Sequence, residues 1–268
     1  MRSKLDKSLL PLYKYRGLIW NFVRRDISSK YIGSMLGLYW SVINPLITLV
    51  VYCIVFGFFL KARIPGNDNI WDFTLYFSAG FLPWTAFNQS VLRASTSIVD
   101  NKNYIKKVPF PSEIFPVYII LSEFVNLLIG LSIFMVIFII LKGAPSFYII
   151  FLPIGIILQL MFTLSLSLIF SSATVYFRDI PQILGSLFMV WFWGTPVVYS
   201  VNVIPESVRW IVDINPAYYL IEIYRDILLY NRFPDPHRLL PFILFSIIFL
   251  YLSSVIFLRT KRGFGELL

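Results

Sequence analysis

The sequence is poor in the residues that carry most enzyme chemistry. It has one cysteine, Cys53, and one histidine, His237, among 268 residues. A single cysteine excludes a disulfide within the chain and a cysteine-based metal cluster. We interpret His237, which follows Asp235 and Pro236 in a predicted loop, as a solvated residue rather than a metal ligand or a general base.

Motifs for nucleotide binding and hydrolysis are also missing. No Gly-Lys dipeptide occurs, so there is no Walker A loop and no self-contained ATPase. The patterns G-x-S-x-G and H-E-x-x-H are absent as well, and Glu123 is the only charge deep in its apolar run. Proton-coupled transporters carry more buried ionisable groups than this. We therefore predict that the chain is not an enzyme, binds no metal and holds no cofactor.

Charge is scarce, and its distribution indicates a membrane protein. Charged residues make up 14% of the chain and hydrophobic residues 58%, with a mean hydropathy of +0.76, whereas a soluble domain carries ~25% charged residues. Six runs with little or no charge match or exceed the ~20 residues that cross a bilayer core; they are 35–60, 73–92, 114–141, 147–177, 180–205 and 239–258. Unbroken runs of this length indicate helices. The sequence predicts a single all-α membrane domain over 1–268 with six spans.

The Lys and Arg residues orient this domain. With both termini in the cytoplasm, 16 of the 23 basic residues fall inside and 7 outside, while the 14 acidic residues divide evenly. Nearly all of the net charge of +9 therefore lies inside, as the positive-inside rule requires. This pattern explains the charge without nucleic acid as a partner.

Two further segments are helical but differ from the spans. Segment 206–231 is apolar but carries four charged residues between 213 and 226, which would be costly in a lipid-exposed span. We predict a helical hairpin between spans five and six that dips into the outer leaflet; a plain surface helix pair is the alternative. Segment 8–30 has one apolar helical face, formed by Leu12, Tyr15, Ile19, Phe22 and Val23. We expect this basic amphipathic helix to lie flat on the inner leaflet.

The loop 99–113 is short and basic, and two prolines break it. Its lysines could simply enforce orientation, but Phe110 between Pro109 and Pro111 favours docking to a soluble partner.

Polar stripes run along two spans. In the fourth, Gln159, Thr163, Ser167, Ser171 and Thr174 share a face that we interpret as packing rather than a pore.

Aromatic residues reach 18% of the chain and crowd the stretch 188–199. Such rings form interfacial belts in membrane proteins. They also stack against the apolar faces of sugars, and spacing does not decide between the two. The first span carries a comparable polar and aromatic face that includes Trp40 and Tyr52.

Four stretches together carry a family resemblance. They are RRDISSKYIGSMLGLYWSVINPL at 24–46, KKVPFPSEIFP at 106–116, YFRDIPQ at 176–182, and WFWGTPVVYSVNVIP at 191–205 followed by NPAYY at 215–219. Their order resembles the permease subunit of ABC-2 type polysaccharide exporters, the translocators of O-antigen, capsule and teichoic acid. The resemblance runs nearly end to end.

The resemblance implies partners. Two permeases would pair in the bacterial inner membrane, each with a separate ATPase subunit that binds ATP and Mg. A polyprenyl-pyrophosphate-linked glycan, most of all O-antigen, would pass between the two permeases, and membrane lipid would surround them.

The resemblance also implies sites. The implied channel face comprises Tyr39, Trp40, Asn44, Thr48, Tyr52, Trp191, Trp193 and Tyr199. The implied cytoplasmic gate comprises Tyr31, Leu36 and Gly37, and the implied outer gate comprises Pro205, Pro216, Tyr218 and Tyr219. Coupling to the ATPase would fall to Lys106, Lys107, Pro109, Phe110, Pro111 and Glu113.

Other functions remain open on the sequence alone. An ABC-2 permease for teichoic acid, capsule or a smaller lipid or drug would share this topology, although a smaller substrate needs fewer aromatic residues along its path. A membrane-embedded enzyme of polyprenyl-phosphate metabolism would need acidic or histidine clusters at a membrane face, and the sequence has none.

The topology can be tested by cysteine labelling from outside. A thiol reagent added outside should label Ser207→Cys and leave Ser3→Cys unlabelled, because the hairpin is expected outside and both termini inside. External labelling of the C-terminal tail would contradict the six-span topology.

Overall fold

The protein is almost entirely helical. The computed structural model describes residues 13–30, 37–59, 69–107 and 111–268, and no strand occurs among them. The helices are α1 (Arg16–Ser29), α2 (Trp40–Tyr52), α3 (Ile70–Asp100), α4 (Lys102–Lys107), α5 (Ile114–Lys142), α6 (Leu152–Tyr176), α7 (Ile180–Gly194), α8 (Trp210–Asp213), α9 (Pro216–Leu228), α10 (Pro236–Thr260) and α11 (Phe264–Leu267). A π-helix over Cys53–Phe59 continues α2. The all-α prediction is confirmed for the described residues.

Each of the six predicted apolar runs contains a helix. Among the described residues, three helical segments are long and apolar enough to cross a membrane: Ile114–Lys142, Phe147–Tyr176 and Pro236–Gly263. Ile43–Phe59 and Ile180–Gly194 are shorter apolar helices. The remaining run, 73–92, lies within α3, which has 31 residues and is roughly 46 Å long at ~1.5 Å per residue.

The fifth helix is shorter than its apolar run. The run continues to 205, but α7 ends at Gly194 after 15 residues. Thr195 has an extended backbone, the conformation that a following proline such as Pro196 favours. Consequently α7 is only about 22 Å long.

Helix α3 is the centre of the bundle and packs mainly against α5 and α6, with α9 against its N-terminal half. Small residues permit the closest contacts. A Cβ on Gly130 of α5 would lie 2.8 Å from the side chain of Leu82 on α3, so a larger residue would require Leu82 to move.

The polar stripe of α6 is buried in these contacts. The Gln159 amide donates to the backbone oxygen of Pro83 on α3 at 2.9 Å and accepts from the Tyr224 hydroxyl of α9 at 2.6 Å. Thr163, Ser167 and Ser171 are fully buried. The interpretation of the stripe as packing is confirmed.

Helix α1 buries its apolar face against protein. Ile19, Phe22 and Val23 are buried, and the ring of Phe22 stacks on Tyr118 of α5 with centroids 5.2 Å apart. The sequence analysis predicted that this face contacts lipid, whereas in the structure it packs against aromatic side chains of α5. Trp20 is exposed and remains available for membrane contact.

Candidate functional site

An aromatic cluster joins the end of α2 to α3 and α7. The ring of Tyr52 lies 4.7 Å from Phe77 and 5.4 Å from Phe81 of α3, between centroids. In the π-helix, Phe56 reaches Trp193 of α7 at 6.5 Å. Two residues predicted for the channel face, Tyr52 and Trp193, therefore belong to one continuous set of rings.

The α7 members of this cluster face different ways. The indole of Trp191 packs on Trp84 and Phe87 and donates to the Asn215 side-chain oxygen at 2.8 Å. Trp193 is 49% exposed, and its backbone oxygen accepts the Tyr199 hydroxyl at 2.5 Å. Trp193 can thus contact something outside the chain, while Trp191 packs inward.

The other predicted channel residues lie on or near α2. Tyr39 and Asn44 are exposed, and Trp40 is partly buried. The Thr48 hydroxyl donates to the backbone oxygen of Asn44 at 2.9 Å. This face presents mixed polar and aromatic groups; its role as a channel wall stays a prediction.

Four charged residues meet where α1, α3 and α5 converge, and we call them the α1-end cluster: Asp26, Lys30, Arg93 and Glu123. The Arg93 guanidinium lies 2.5 Å from Asp26 and also contacts Glu123. The Lys30 ammonium lies 2.8 Å from Glu123. The Asp26 and Glu123 side chains are 11% and 7% exposed, so both carboxylates are largely removed from water.

Neighbouring side chains complete this cluster. The Ser122 hydroxyl donates to the second oxygen of Asp26 at 2.5 Å, and the Asn126 amide donates to the second oxygen of Glu123 at 2.8 Å. Every carboxylate oxygen therefore has a donor, and the formal charges of the four ions cancel. Removing Arg93 would leave Lys30, 3.9 Å from Asp26, to neutralise both carboxylates, at a cost of up to about 3–5 kcal/mol.

The α1-end cluster adjoins the segment predicted as the cytoplasmic gate. Lys30 precedes Tyr31 and Leu36, which both lie outside the described residues. Gly37 follows them with a φ of +49°, a left-handed conformation that glycine adopts without strain. The cluster therefore fixes the chain just before the predicted gate.

Arg225 of α9 is the centre of a second charged group, about 25 Å further along α3. Its side chain is fully buried, and it donates to the backbone oxygens of Pro196 and Val197 at 2.8 Å each. The guanidinium carbon lies 3.6 Å from the ring centroid of Tyr76 on α3. Arg225 therefore binds the hairpin to α3 and to the turn that follows α7.

Further ion pairs complete this α9-end cluster, which comprises Glu222, Arg225, Asp226, Arg232 and Arg238. Glu222 lies 3.0 Å from Arg225 and 2.9 Å from Arg238, and Asp226 lies 2.6 Å from Arg232. Burial raises the pKa of the Asp226 carboxyl, an effect that hydrogen bonds from the Asp235 backbone and Arg232 partly oppose. Three of the four charges between 213 and 226 are thus paired within the protein, while Asp213 is exposed.

Three of the predicted outer-gate residues lie on this hairpin, and Pro205 immediately precedes it. Pro205 is exposed, and Pro216 is the first residue of α9. Tyr218 is buried, and burial raises its pKa to about 12. The Tyr219 hydroxyl donates to the backbone oxygen of Asp213 at 2.5 Å, which ties α8 to α9.

The predicted coupling residues are only partly described. Lys106 is exposed on α4, and Pro111 is partly buried. Pro109, Phe110 and the Lys107 side chain lie outside the described residues. Glu113 is buried and accepts two hydrogen bonds from Lys261, so its carboxylate faces the protein's own C-terminal segment.

Sequence reasoning noted the charges of segment 206–231 and Glu123 but missed Asp26 and Arg93 of the α1-end cluster. Asp26 and Arg93 border apolar segments, and each looked like an ordinary boundary charge. The sequence does contain a signal for this cluster, because charges of opposite sign lie in or beside three predicted helical segments, and such charges can pair once the helices pack together. Which of them would pair depended on the helix arrangement.

Comparison with known proteins decides the family. The model of the family described as ABC-2 type transporter matches residues 17–229. The chain belongs to the ABC-2 type transporter family. The match includes both charged clusters except Arg232 and Arg238, and all of the aromatic cluster.

Several proteins resemble this ABC-2 transporter chain over nearly its whole length. The O-antigen export system permease protein RfbA of Myxococcus xanthus is 31% identical over 257 residues, covering 95% of this chain and 96% of that protein. A protein of the same name from Klebsiella pneumoniae is 29% identical over 270 residues, covering all of both chains. A second Klebsiella pneumoniae protein of that name is 27% identical over 269 residues.

The importance of Arg225 can be tested in the purified transporter. Arg225→Met should lower the free energy of unfolding by about 3–5 kcal/mol, because one oxygen of Glu222 and two backbone oxygens lose their hydrogen-bond donor inside the protein. Thermal unfolding in detergent measures this change. Arg178→Met, at an exposed position, is the control and should change stability by less than about 0.5 kcal/mol. An equally small effect of both substitutions would contradict the structural role of Arg225.

Proposed function

We propose that this chain is the transmembrane permease subunit of an ATP-driven exporter that moves lipid-linked O-antigen across the bacterial inner membrane. The observation that carries the proposal is the end-to-end similarity to three proteins named as O-antigen export permeases. The exposed part of the aromatic cluster supports a sugar substrate, since aromatic faces stack on the C–H faces of sugar rings.

The proposed topology has six spans with both termini in the cytoplasm. The spans are α2 with its π-helix, α3, α5, α6, α7 and α10. Because α7 is about 22 Å long and the hydrocarbon layer is ~30 Å thick, α7 does not cross alone. The hairpin of α8 and α9 would dip into the outer leaflet and cover the remainder, with the charges of α9 paired inside the protein.

A homodimer is the proposed functional unit. Six spanning helices hardly enclose a path wide enough for a polysaccharide, so the path would lie between two copies. Helix α7 supports this arrangement, because Ile183, Leu187, Val190 and Trp193 are exposed along it. Such a face suits a second copy and the wall of a path between the two.

A separate ATPase would supply the energy, with one copy bound to each permease. ATP and Mg would bind to that partner. The proposed contact is the loop 99–113, where Lys106 is exposed on the short helix α4. Movement of this loop would reach α3 and α5, the two helices it joins, and through Arg93 and Glu123 the segment before the gate.

Weak and repeated contacts suit the movement of a long polymer. A path that bound sugars tightly would stall, and channels avoid this with several weak sites. Each aromatic contact contributes only about 0.5–1.5 kcal/mol. Losing one should slow export, and losing several should have a larger effect.

Deletion of the gene in an O-antigen-producing host tests the function. The proposal predicts loss of surface O-antigen and accumulation of lipid-linked glycan inside the cell, both reversed by the wild-type gene. Loss of surface capsule or teichoic acid with normal O-antigen would assign a different polysaccharide. Normal levels of every surface glycan would contradict the proposal.

Two matched tryptophans test the path. Trp193→Ala should lower surface O-antigen per inserted permease, and Trp193→Ala combined with Tyr52→Ala should lower it further. Trp71→Ala is the control, because Trp71 is 53% exposed, close to the 49% of Trp193, but lies outside the aromatic cluster. Surface glycan is divided by the amount of membrane-inserted permease. Equal ratios for Trp193→Ala and Trp71→Ala would remove α7 from the path.

A further inference from the structure

Glu113 and Lys261 form an ion pair between two segments that are distant in sequence. The Lys261 ammonium donates to both carboxylate oxygens of Glu113, at 2.7 and 3.0 Å. The Glu113 side chain is 5% exposed, so the pair is shielded from water on the carboxylate side. Charge-assisted hydrogen bonds of this kind are stronger than neutral ones.

The C-terminal segment that carries Lys261 is held by two further contacts. The ring of Phe264 is buried and packs edge-to-face on Phe257 at 5.8 Å, in a cluster that also contains Ile98. The Tyr176 hydroxyl at the end of α6 donates to the backbone oxygen of Thr260 at 2.8 Å. The segment is therefore a packed part of the bundle.

These contacts reach both ends of the loop 99–113. On one side, Ile98 of α3 precedes the loop and packs in the same cluster as Phe264. On the other side, Glu113 ends the loop and immediately precedes α5. The loop's two attachment points are thus bound to one short segment of the chain.

We propose that the C-terminal segment 257–268 is a strap that positions the coupling loop, with Lys261 as the positioning residue. This inference rests on the proposed function, in which an ATPase docks on the loop. The strap joins α3, the loop and α5 into one unit. Movement of a docked partner then shifts both helices together instead of being absorbed where the loop meets α5.

Removal of the Lys261 charge tests the strap. Lys261→Met should weaken binding of the ATPase to the purified permease about tenfold, measured by titration in detergent on folded protein. Lys261→Arg should keep the wild-type affinity because it retains the charge and the donors. Lys142→Met is the matched control, since Lys142 pairs with Asp72, another largely buried carboxylate, at the opposite end of α5.

A purely structural role predicts a different result. Both Lys→Met variants would then lose stability, and ATPase affinity would stay unchanged in each. Equal affinity of wild-type and Lys261→Met permease would therefore overturn the strap, as would an equal loss of affinity in Lys142→Met.

A second measurement on the permease alone separates the strap from the proposed function. In a Cys53→Ser background, a spin label at Lys106→Cys reports motion of the loop. Lys261→Met should increase its mobility, and Lys142→Met should leave it unchanged. Unchanged mobility in Lys261→Met would overturn the strap. If the wild-type permease binds no ATPase, the proposed coupling fails, and the spin-label result alone decides whether the strap exists.

Discussion

The constraint on which the rest of the structure depends is that charges removed from water must be paired. An unpaired ion inside a bundle costs several kcal/mol, so the two carboxylates of the α1-end cluster fix the positions of Lys30 and Arg93 around them. Because Asp26, Arg93 and Glu123 come from α1, α3 and α5, their pairing also fixes three helices. Apolar packing alone would let these helices slide, whereas ion pairs with short distances set their register.

The same constraint acts at the other end of α3. Arg225 can be fully buried because Glu222 and the backbone oxygens of residues 196 and 197 accept hydrogen bonds from its guanidinium. Gly80 on α3 provides the space, since a Cβ there would lie 2.9 Å from the guanidinium. Between the two clusters the bundle has packed aromatic rings and buried hydroxyls. Paired charges therefore hold α3 to its neighbours near both ends, and close packing holds it between them.

Much of the helical framework was predictable from the sequence because lipid imposes a simple length and charge rule. All six apolar runs contain helices, and the Gln159 stripe is buried as a packing surface. The end of α7 was harder to place, since the run continues apolar to 205 and only Pro196 signals the break. What the apolar face of α1 packs against could not be predicted from the sequence either. Periodicity identified Ile19, Phe22 and Val23 as one face, but nothing in it distinguishes lipid from Phe115 and Tyr118.

Transport by the purified proteins tests the central claim most directly. The permease and its ATPase, reconstituted in vesicles with lipid-linked O-antigen, should move glycan across the membrane only when ATP is supplied. Glycan reaching the opposite face can be measured by its susceptibility to an added glycosidase. Arg93→Met should move less glycan per ATP hydrolysed, because the segment before the gate loses its link to α3 and α5. ATP hydrolysis by the wild-type complex without any ATP-dependent movement of glycan would contradict the account.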